Sequence, residues 1–584
     1  MPISFPNNAK TMRPCFMARQ GVVSSGHGLA SLAGSEILRK GGNAFDAGVA
    51  AAMCLSILMP DYAGFVGVAP FIGYSAKYDA VYAYSGVGVA PAKANIEFFA
   101  SQGLKKIPRF SIYSQLIPAS VDTWIAILQR LGTMSFTEIS AAARQLAWDG
   151  FPAHGQMIKI ISQNEENIRK YPYNSSIFFQ TGGIPSLGEL FAQKDAAKSI
   201  DIMIEAEKKA RQAGKSREQA LEAVRDEFYQ GEIAEAIAKL HQDKGGLITY
   251  EDLASFHGKW EEPLVAKYKE YAFYTTSTWT QGPLLIQFLN LLEGFDLNPL
   301  GHNSADYVHL ISSVIDLGMA DRERFYGDPD FVEVPYGLWT KEYAAARRDL
   351  LSPGKAFQEL PPHGDPVQML AVAEDQRIPL VLVEDKKPSL ADTTYVCAAD
   401  AQGNIFSLTP SDGGFGSPMV PDYGIILGRR MTQFRLDPGH AACLAPGKRP
   451  TITPAPALVL KNGKPFMALG TPGADQQTQT MLQVFLNVAE FGMNVQQAVE
   501  SPRFGSYNFP GWFSPHPYYP GRLCIESRLG KRVGPYLKKL GREIINWEDW
   551  TMLAGAVCVV MFDRQTGTIH AGADPRRESY AIGW

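Results

Sequence analysis

Ala391-Asp392-Thr393-Thr394-Tyr395-Val396-Cys397-Ala398-Ala399-Asp400, followed by Gly403-Asn404, is the stretch from which the rest of the chain can be read. Thr394 to Ala399 has the β-branched and aromatic character of a strand. Asp400-Ala401-Gln402-Gly403-Asn404 is a turn, and Ile405 to Leu408 returns the chain as a hairpin. Two more hairpins follow: Ala457 to Leu460 with Pro465 to Leu469 around Lys461-Asn462-Gly463-Lys464, and Val557 to Phe562 with Thr568 to Ala571. Between them, Leu482, Phe485, Leu486 and Ala489 mark one helix, and Val495, Ala498 and Val499 begin another. Toward the amino terminus, Leu29, Leu32, Ala33, Ile37 and Leu38 form a helical stripe ending at Gly41-Gly42. Asn43 to Leu58 is apolar nearly all round, which predicts a fully buried helix. Asp195 to Gln230 is charged and alanine-rich around Gly214 and predicts a solvated helical pair. Hairpins with helices between them predict a layered α/β architecture with antiparallel sheets.

Composition narrows the function. The 584 residues are 46% hydrophobic and 20% charged, with a formal net charge of −4, which describes a globular chain with a large core. No stripe of Lys and Arg invites nucleic acid or an anionic membrane, so the expected partner is a small molecule. The amino-terminal segment has no apolar leader-like run, and no run of about 18 apolar residues could cross a bilayer; a cytoplasmic location is expected. Cys15, Cys54, Cys397, Cys443, Cys524 and Cys558 are scattered without a CxxC pair, as reduced thiols would be. Gly214-Lys215-Ser216 fails as a phosphate-binding loop because position 209 is Lys. GxSxG, HExxH and strand-linked GxGxxG motifs are missing, and the ten histidines are not spaced as a metal cluster. Neither metal nor cofactor is expected.

The run that opens at Thr393 resembles the start of the catalytic subunit of the γ-glutamyltranspeptidases, a T-T-H-x-S-like strand followed by D-x-x-G-N. Other strings match that family in order: Gly41-Gly42-Asn43-Ala44, Ala90-Pro91-Ala92, Gly245-Gly246-Leu247-Ile248-Thr249, Ala320-Asp321-Arg322, Gly327-Asp328-Pro329, Lys448-Arg449-Pro450, Gly470-Thr471-Pro472-Gly473 and Asp574-Pro575-Arg576. The resemblance implies a four-layer αββα N-terminal nucleophile fold cut at the Asp392–Thr393 bond, giving associated fragments 1–392 and 393–584, with a dimer of such heterodimers as one assembly. It makes Thr393 the nucleophile, Ser411 a second hydroxyl beside it, and the N–H groups around Gly473 and Ala474 the oxyanion donors. Chemistry agrees: a threonine freed at an amino terminus carries nucleophile and base on one residue, because an α-amino group of pKa about 7.7 to 8 can take the hydroxyl proton. Read without that resemblance, Thr393 and Thr394 would be ordinary β-branched strand residues.

The departures fall on one subsite. The family's arginine before A-P-A is replaced by Val87. The acidic residue of N-N-x-M-x-D-F, which holds the substrate α-amino group, becomes Gln433 in Gly428-Arg429-Arg430-Met431-Thr432-Gln433-Phe434. The paired serines become Ile452 and Thr453. Losing charge-assisted contacts of about 1.5 to 3 kcal/mol each predicts discrimination against γ-glutamyl donors. Gly470-Thr471-Pro472-Gly473-Ala474-Asp475-Gln476-Gln477 is similar to the G-T-P-G-x-D-x-Q of the acylase branch. An amide with an uncharged or aromatic acyl group is expected, with Trp279 or Tyr395 as wall residues, and Arg430 as an alternative clamp for an acyl carboxylate. A γ-glutamyl enzyme with a rebuilt clamp, and an inactive relative with a binding role, are the rival readings.

Overall fold

The computed structural model describes residues 11–375 and 393–584, so Asp392 lies outside the described residues. The hairpin at Gly403 forms from strands Val396–Asp400 and Ile405–Leu408, with Val396 opposite Leu408. Gly403 takes φ 93° in the turn, a backbone that side chains disfavour. Strand Val396–Asp400 also pairs with Gly21–Ser25. The complete sheet has seven strands, in the order Tyr580–Gly583, Gly21–Ser25, Val396–Asp400, Ile405–Leu408, Phe71–Ser75, Ala80–Tyr84, Trp260–Glu261. The two later hairpins belong to a second seven-stranded sheet: Phe16–Ala18, Thr568–Ala573, Cys558–Asp563, Lys464–Gly470, Ala457–Lys461, Tyr271–Thr275, Leu264–Tyr268. Every pairing within both sheets is antiparallel.

Strand periodicity turns these sheets into four layers. Val396 and Ala398 face the helices and pack with residues of helix Ala44–Leu58, whereas Cys397 and Ala399 face the other sheet and meet Leu458, Ala468 and Val560. In the second sheet Leu458 points inward, while Ala457 and Val459 face helices Pro283–Leu292, Ala305–Phe325 and Gln477–Ala489. The result is the αββα sandwich that the resemblance implies.

The expected helices form within a residue or two of their sequence limits. Every residue of Ala44–Leu58 is buried, and Asn43 with Asp46 makes a capping box at its start. The Asp46 carboxylate also accepts from the Thr133 N–H at 2.9 Å and the Thr133 hydroxyl at 2.7 Å, which ties a following loop to the helix. The helical pair is Lys194–Gln212 and Arg217–Gln230. Ser216 of Gly214-Lys215-Ser216 caps its second member. All six cysteines are free thiols, four of them buried. No helix among the described residues is long and apolar enough to cross a membrane.

Tyr395 is a core residue rather than a pocket wall. Its ring lies between the sheets, and its hydroxyl is 2.7 Å from Ser407 Oγ. A Cβ added at Gly470 would come 2.2 Å from that ring. Gly470→Ala is therefore expected to destabilise the fold by about 1–3 kcal/mol through overpacking, read as a lower urea midpoint.

Asp61 is buried with both carboxyl oxygens lacking a hydrogen-bond partner among the described residues. Burial pushes its pKa up to about 7, with Glu578 adding to the rise and His154 and Arg577 opposing it. The unfolded chain ionises this group near its ordinary value of 3.8, so the folded state holds the proton more tightly. Stability from this group is complete below that value and declines as pH rises toward 7. Urea unfolding between pH 4 and 7.5 should show this decline flattened in Asp61→Asn.

Candidate active site

Thr393 enters the first sheet just ahead of strand Val396–Asp400 and bridges backbone-to-backbone with Ser411. Ser411 in turn exchanges backbone hydrogen bonds with Val68, its N–H donating at 2.9 Å and its carbonyl accepting at 3.1 Å. The Thr394 N–H donates to Pro410 O at 2.9 Å. Gly26 passes so close to Thr394 that a Cβ there would lie 2.0 Å from Oγ1. These contacts leave Thr393 Oγ1 2.7 Å from Ser411 Oγ, with both residues buried.

Arg430 completes this group. It is fully buried, donates from Nη2 to Ser411 Oγ, and donates from Nη1 to Gln433 Oε1 at 2.8 Å. Its Nε lies 3.6 Å from Asp412 Oδ1, and its guanidinium lies 5.3 Å from the Phe513 ring centre. A buried cation needs such a counter-charge, since an unpaired one has given up its hydration at large cost. Asp412, at φ 89°, sits under the turn that carries Arg430, where its carboxylate accepts the Arg429 N–H at 2.5 Å. Gly428 has no room for a side chain there, because a Cβ would overlap the Asp412 carboxylate at 1.7 Å. Asp412 is absent from the residues singled out by sequence, where Ser411-Asp412-Gly413-Gly414 looks like any polar turn.

Gly473 and Ala474 form the bend between strand Lys464–Gly470 and helix Gln477–Ala489, with φ values of 135° and 49°. A left-handed alanine is strained and must be held by its surroundings. The next residue supplies the hold: Asp475 Oδ1 accepts from Gln281 Nε2 at 2.6 Å and Arg322 Nη1 at 2.7 Å, and Oδ2 accepts the Trp512 N–H at 3.3 Å. Arg322 also donates to Glu323 at 2.8 Å and to Pro510 O at 2.6 Å. This ionic anchor joins residues 153 positions apart in the chain, and no spacing rule reveals it.

Val87, Ile452 and Trp279 come together in one buried cluster with Val68, Met431 and Phe434. The Ile452 N–H donates to Trp279 O at 2.7 Å, and Trp279 Nε1 donates to Glu261 at 2.9 Å. Val68, a member of this cluster, pairs with Ser411 through the backbone. Arg449 steadies the approach to Ile452 through Asp328, at 2.6 Å from Nη2, and through Glu261. The buried Thr453 Oγ1 and Gln433 Nε2 have no hydrogen-bond partner among the described residues.

Three-dimensional proximity also assembles a His27, His154 and Glu578 group, with one candidate ligand atom from each within 4.8 Å of the others. These residues are far apart in sequence, which is why histidine spacing does not disclose them. Their atoms already serve the fold: His27 Nδ1 accepts the Leu29 N–H at 3.2 Å, His154 Nε2 meets Leu58 O at 2.9 Å, and His154 Nδ1 pairs with Glu578.

Comparison with known proteins agrees with this architecture. The family model for gamma-glutamyltranspeptidase matches residues 30–584. The chain is 31% identical to the glutathione hydrolase-like YwrD proenzyme of Bacillus subtilis (strain 168), over 98% of this chain and 100% of that protein. It is 30% identical to the acylase ACY 1 proenzyme of Pseudomonas sp. (strain SE83), over 83% of this chain and 82% of that one. The solved structure of LmbA2991HD superposes with a TM-score of 0.92 at 32% identity, covering 98% of this chain and 100% of its own. A sandwich of two antiparallel sheets, matched in sequence along nearly the whole chain, places this protein in the gamma-glutamyltranspeptidase family, and it is an N-terminal nucleophile amidohydrolase of that family.

Proposed function

We propose that the chain cuts its own Asp392–Thr393 bond and then hydrolyses a small-molecule amide through an acyl-enzyme on Thr393. The observation that carries this reading is the buried Thr393 Oγ1 to Ser411 Oγ pair at 2.7 Å, with Arg430 on Ser411. While the Thr393 nitrogen is an amide it cannot act as a base, so processing comes first: Oγ1 adds to the Asp392 carbonyl carbon, the C–N bond breaks, and water hydrolyses the resulting ester. The freed α-amino group then takes the Oγ1 proton as Oγ1 adds to the substrate carbonyl. Collapse of the tetrahedral intermediate expels the amine, which leaves with that proton, and water releases the acid.

The N–H groups of Gly473 and Ala474 are assigned to the oxyanion, and the Ser411 hydroxyl to the developing charge on Thr393. Both sheets draw strands from either side of the cut, which supports fragments 1–392 and 393–584 staying together after cleavage.

For the substrate, the relatives' names point in two directions, one a glutathione hydrolase-like proenzyme and the other an acylase proenzyme. Val87 and Ile452 in the apolar cluster, together with the uncharged Gln433, favour an acyl group without the zwitterionic γ-glutamyl end. Desolvating such an end against apolar side chains would not be repaid. A γ-glutamyl enzyme with a clamp rebuilt on Arg430 is the second reading, favoured by the fact that this cation is buried beside Ser411.

Intact mass of active wild type should show fragments that meet at Thr393, whereas Thr393→Ala should remain one chain and lose at least about a thousandfold in kcat. Active wild type that stays uncut would overturn the mechanism. The specificity expectation is separate: kcat/KM for a simple aryl amide should exceed that for γ-glutamyl-p-nitroanilide by about a hundredfold, since about 1.4 kcal/mol is tenfold. Equal values would favour the rebuilt clamp.

A further inference from the structure

We infer that Cys443 and Lys448 form a second reactive site, a thiol and amine pair that reduces hydroperoxides, with the Cys443 sulfur as nucleophile and Lys448 as the group that moves its proton. The site is independent of Thr393 and of which amide the chain cleaves. Lys448 is only 2% exposed, yet its Nζ donates to a single oxygen, Ala441 O at 2.7 Å. The next polar atom it meets is Cys443 Sγ, at 3.9 Å, and the Phe331 ring centre lies 5.8 Å away. Asp328, whose charge it feels, is already held by Arg449 at 2.6 Å. A buried ammonium without a counter-ion of its own is costly. Burial accordingly lowers the Lys448 pKa below its ordinary value, with Cys443 and Asp328 opposing the shift. A lysine so placed is a base, and the thiol is its proton source.

Reactivity also requires access. Cys54, Cys397, Cys524 and Cys558 are buried, whereas Cys15 and Cys443 are partly exposed. Cys15 Sγ donates to Phe16 O at 3.8 Å and Ala571 O at 3.9 Å, two acceptors that keep the proton on sulfur. Cys443 faces an amine instead. The backbone holds both partners in place: the Cys443 N–H donates to His440 O at 2.9 Å, and Lys448 O accepts the Ala90 N–H at 2.8 Å. In the reaction, Lys448 Nζ takes the Sγ proton as sulfur attacks one peroxide oxygen. The S–O bond forms, the O–O bond breaks, and the departing oxygen takes the proton from Nζ. Sulfur loses two electrons and the peroxide gains them, so hydrogen peroxide gives a sulfenic acid on Cys443 and water, with the amine regenerated.

The test treats the purified, reduced protein with hydrogen peroxide in the presence of dimedone, which traps sulfenic acids, and follows each cysteine by peptide mass. Cys443 should be labelled at least tenfold faster than Cys15. Lys448→Met should slow Cys443 at least tenfold and leave Cys15 unchanged. Lys448→Arg keeps a cation at this position but cannot take up a proton, so it should slow Cys443 as well. Labelling of Cys443 no faster than that of Cys15 in wild type, which needs no variant to fold, would overturn the inference. An unchanged Cys443 rate in Lys448→Met or in Lys448→Arg would overturn it equally, since the proton would then move without the amine.

Discussion

Strand Val396–Asp400 must satisfy its backbone on both edges and bury its side chains on both faces, and those demands govern the rest of the molecule. Its edges take Gly21–Ser25 on one side and Ile405–Leu408 on the other, so the strand is central and cannot be omitted without opening the sheet. One face requires the apolar helix Ala44–Leu58, and the other requires a second sheet. Thr393 lies just before this strand, at the point where the backbone leaves the ladder for isolated pairing with Ser411. The hydroxyl that we propose as nucleophile therefore stands beside a strand held on both edges and both faces, as preorganised chemistry demands.

Ion pairs then place the groups that the sheets alone cannot. Arg430 with Asp412 and Arg322 with Asp475 are each nearly or wholly removed from solvent. Such pairs do little for net stability, because desolvation offsets most of the attraction, but a broken one is costly. They act as pins. Asp412 sets Arg430 against Ser411 and Gln433, and Asp475 holds Ala474 in a backbone conformation that an alanine would not keep unaided. Both pins sit one residue from a group of interest, and both join segments remote in the chain.

That difference in range explains what was legible in sequence. The hairpins at Gly403 and Gly463 and the buried helix after Asn43 follow from local turn chemistry and periodicity, and the structure has them within a residue or two. The alternation of Val396 and Cys397 between layers is equally local. Val87, Ile452 and Trp279 could be nominated as apolar, but only the fold shows that they share a cluster with Val68, which pairs with Ser411. Tyr395 illustrates the opposite error: an aromatic next to the threonines looks like a pocket wall, yet its side chain alternates into the intersheet core. Arg430 could be named but not placed, since nothing in Gly428-Arg429-Arg430 says which arginine reaches Ser411. Asp412, Asp475 with Arg322, and the His27, His154 and Glu578 group depend on long-range packing and leave no mark in residue spacing.

Long-range packing also fixes the orientation of the Gln433 side chain. Gln433 carries no charge, and an amide can present either end to its surroundings. Arg430 removes the ambiguity by accepting only the oxygen end. Its own position is enforced by Asp412, and Asp412 is enclosed by Gly428, where any side chain would collide. Four residues in two adjoining loops thus set the polarity of one amide, without disturbing the strand pairing that holds Thr393. These loops are pinned by the buried charges of Asp412 and Arg430 as well as by the backbone pairing of Ser411 with Val68 and Thr393.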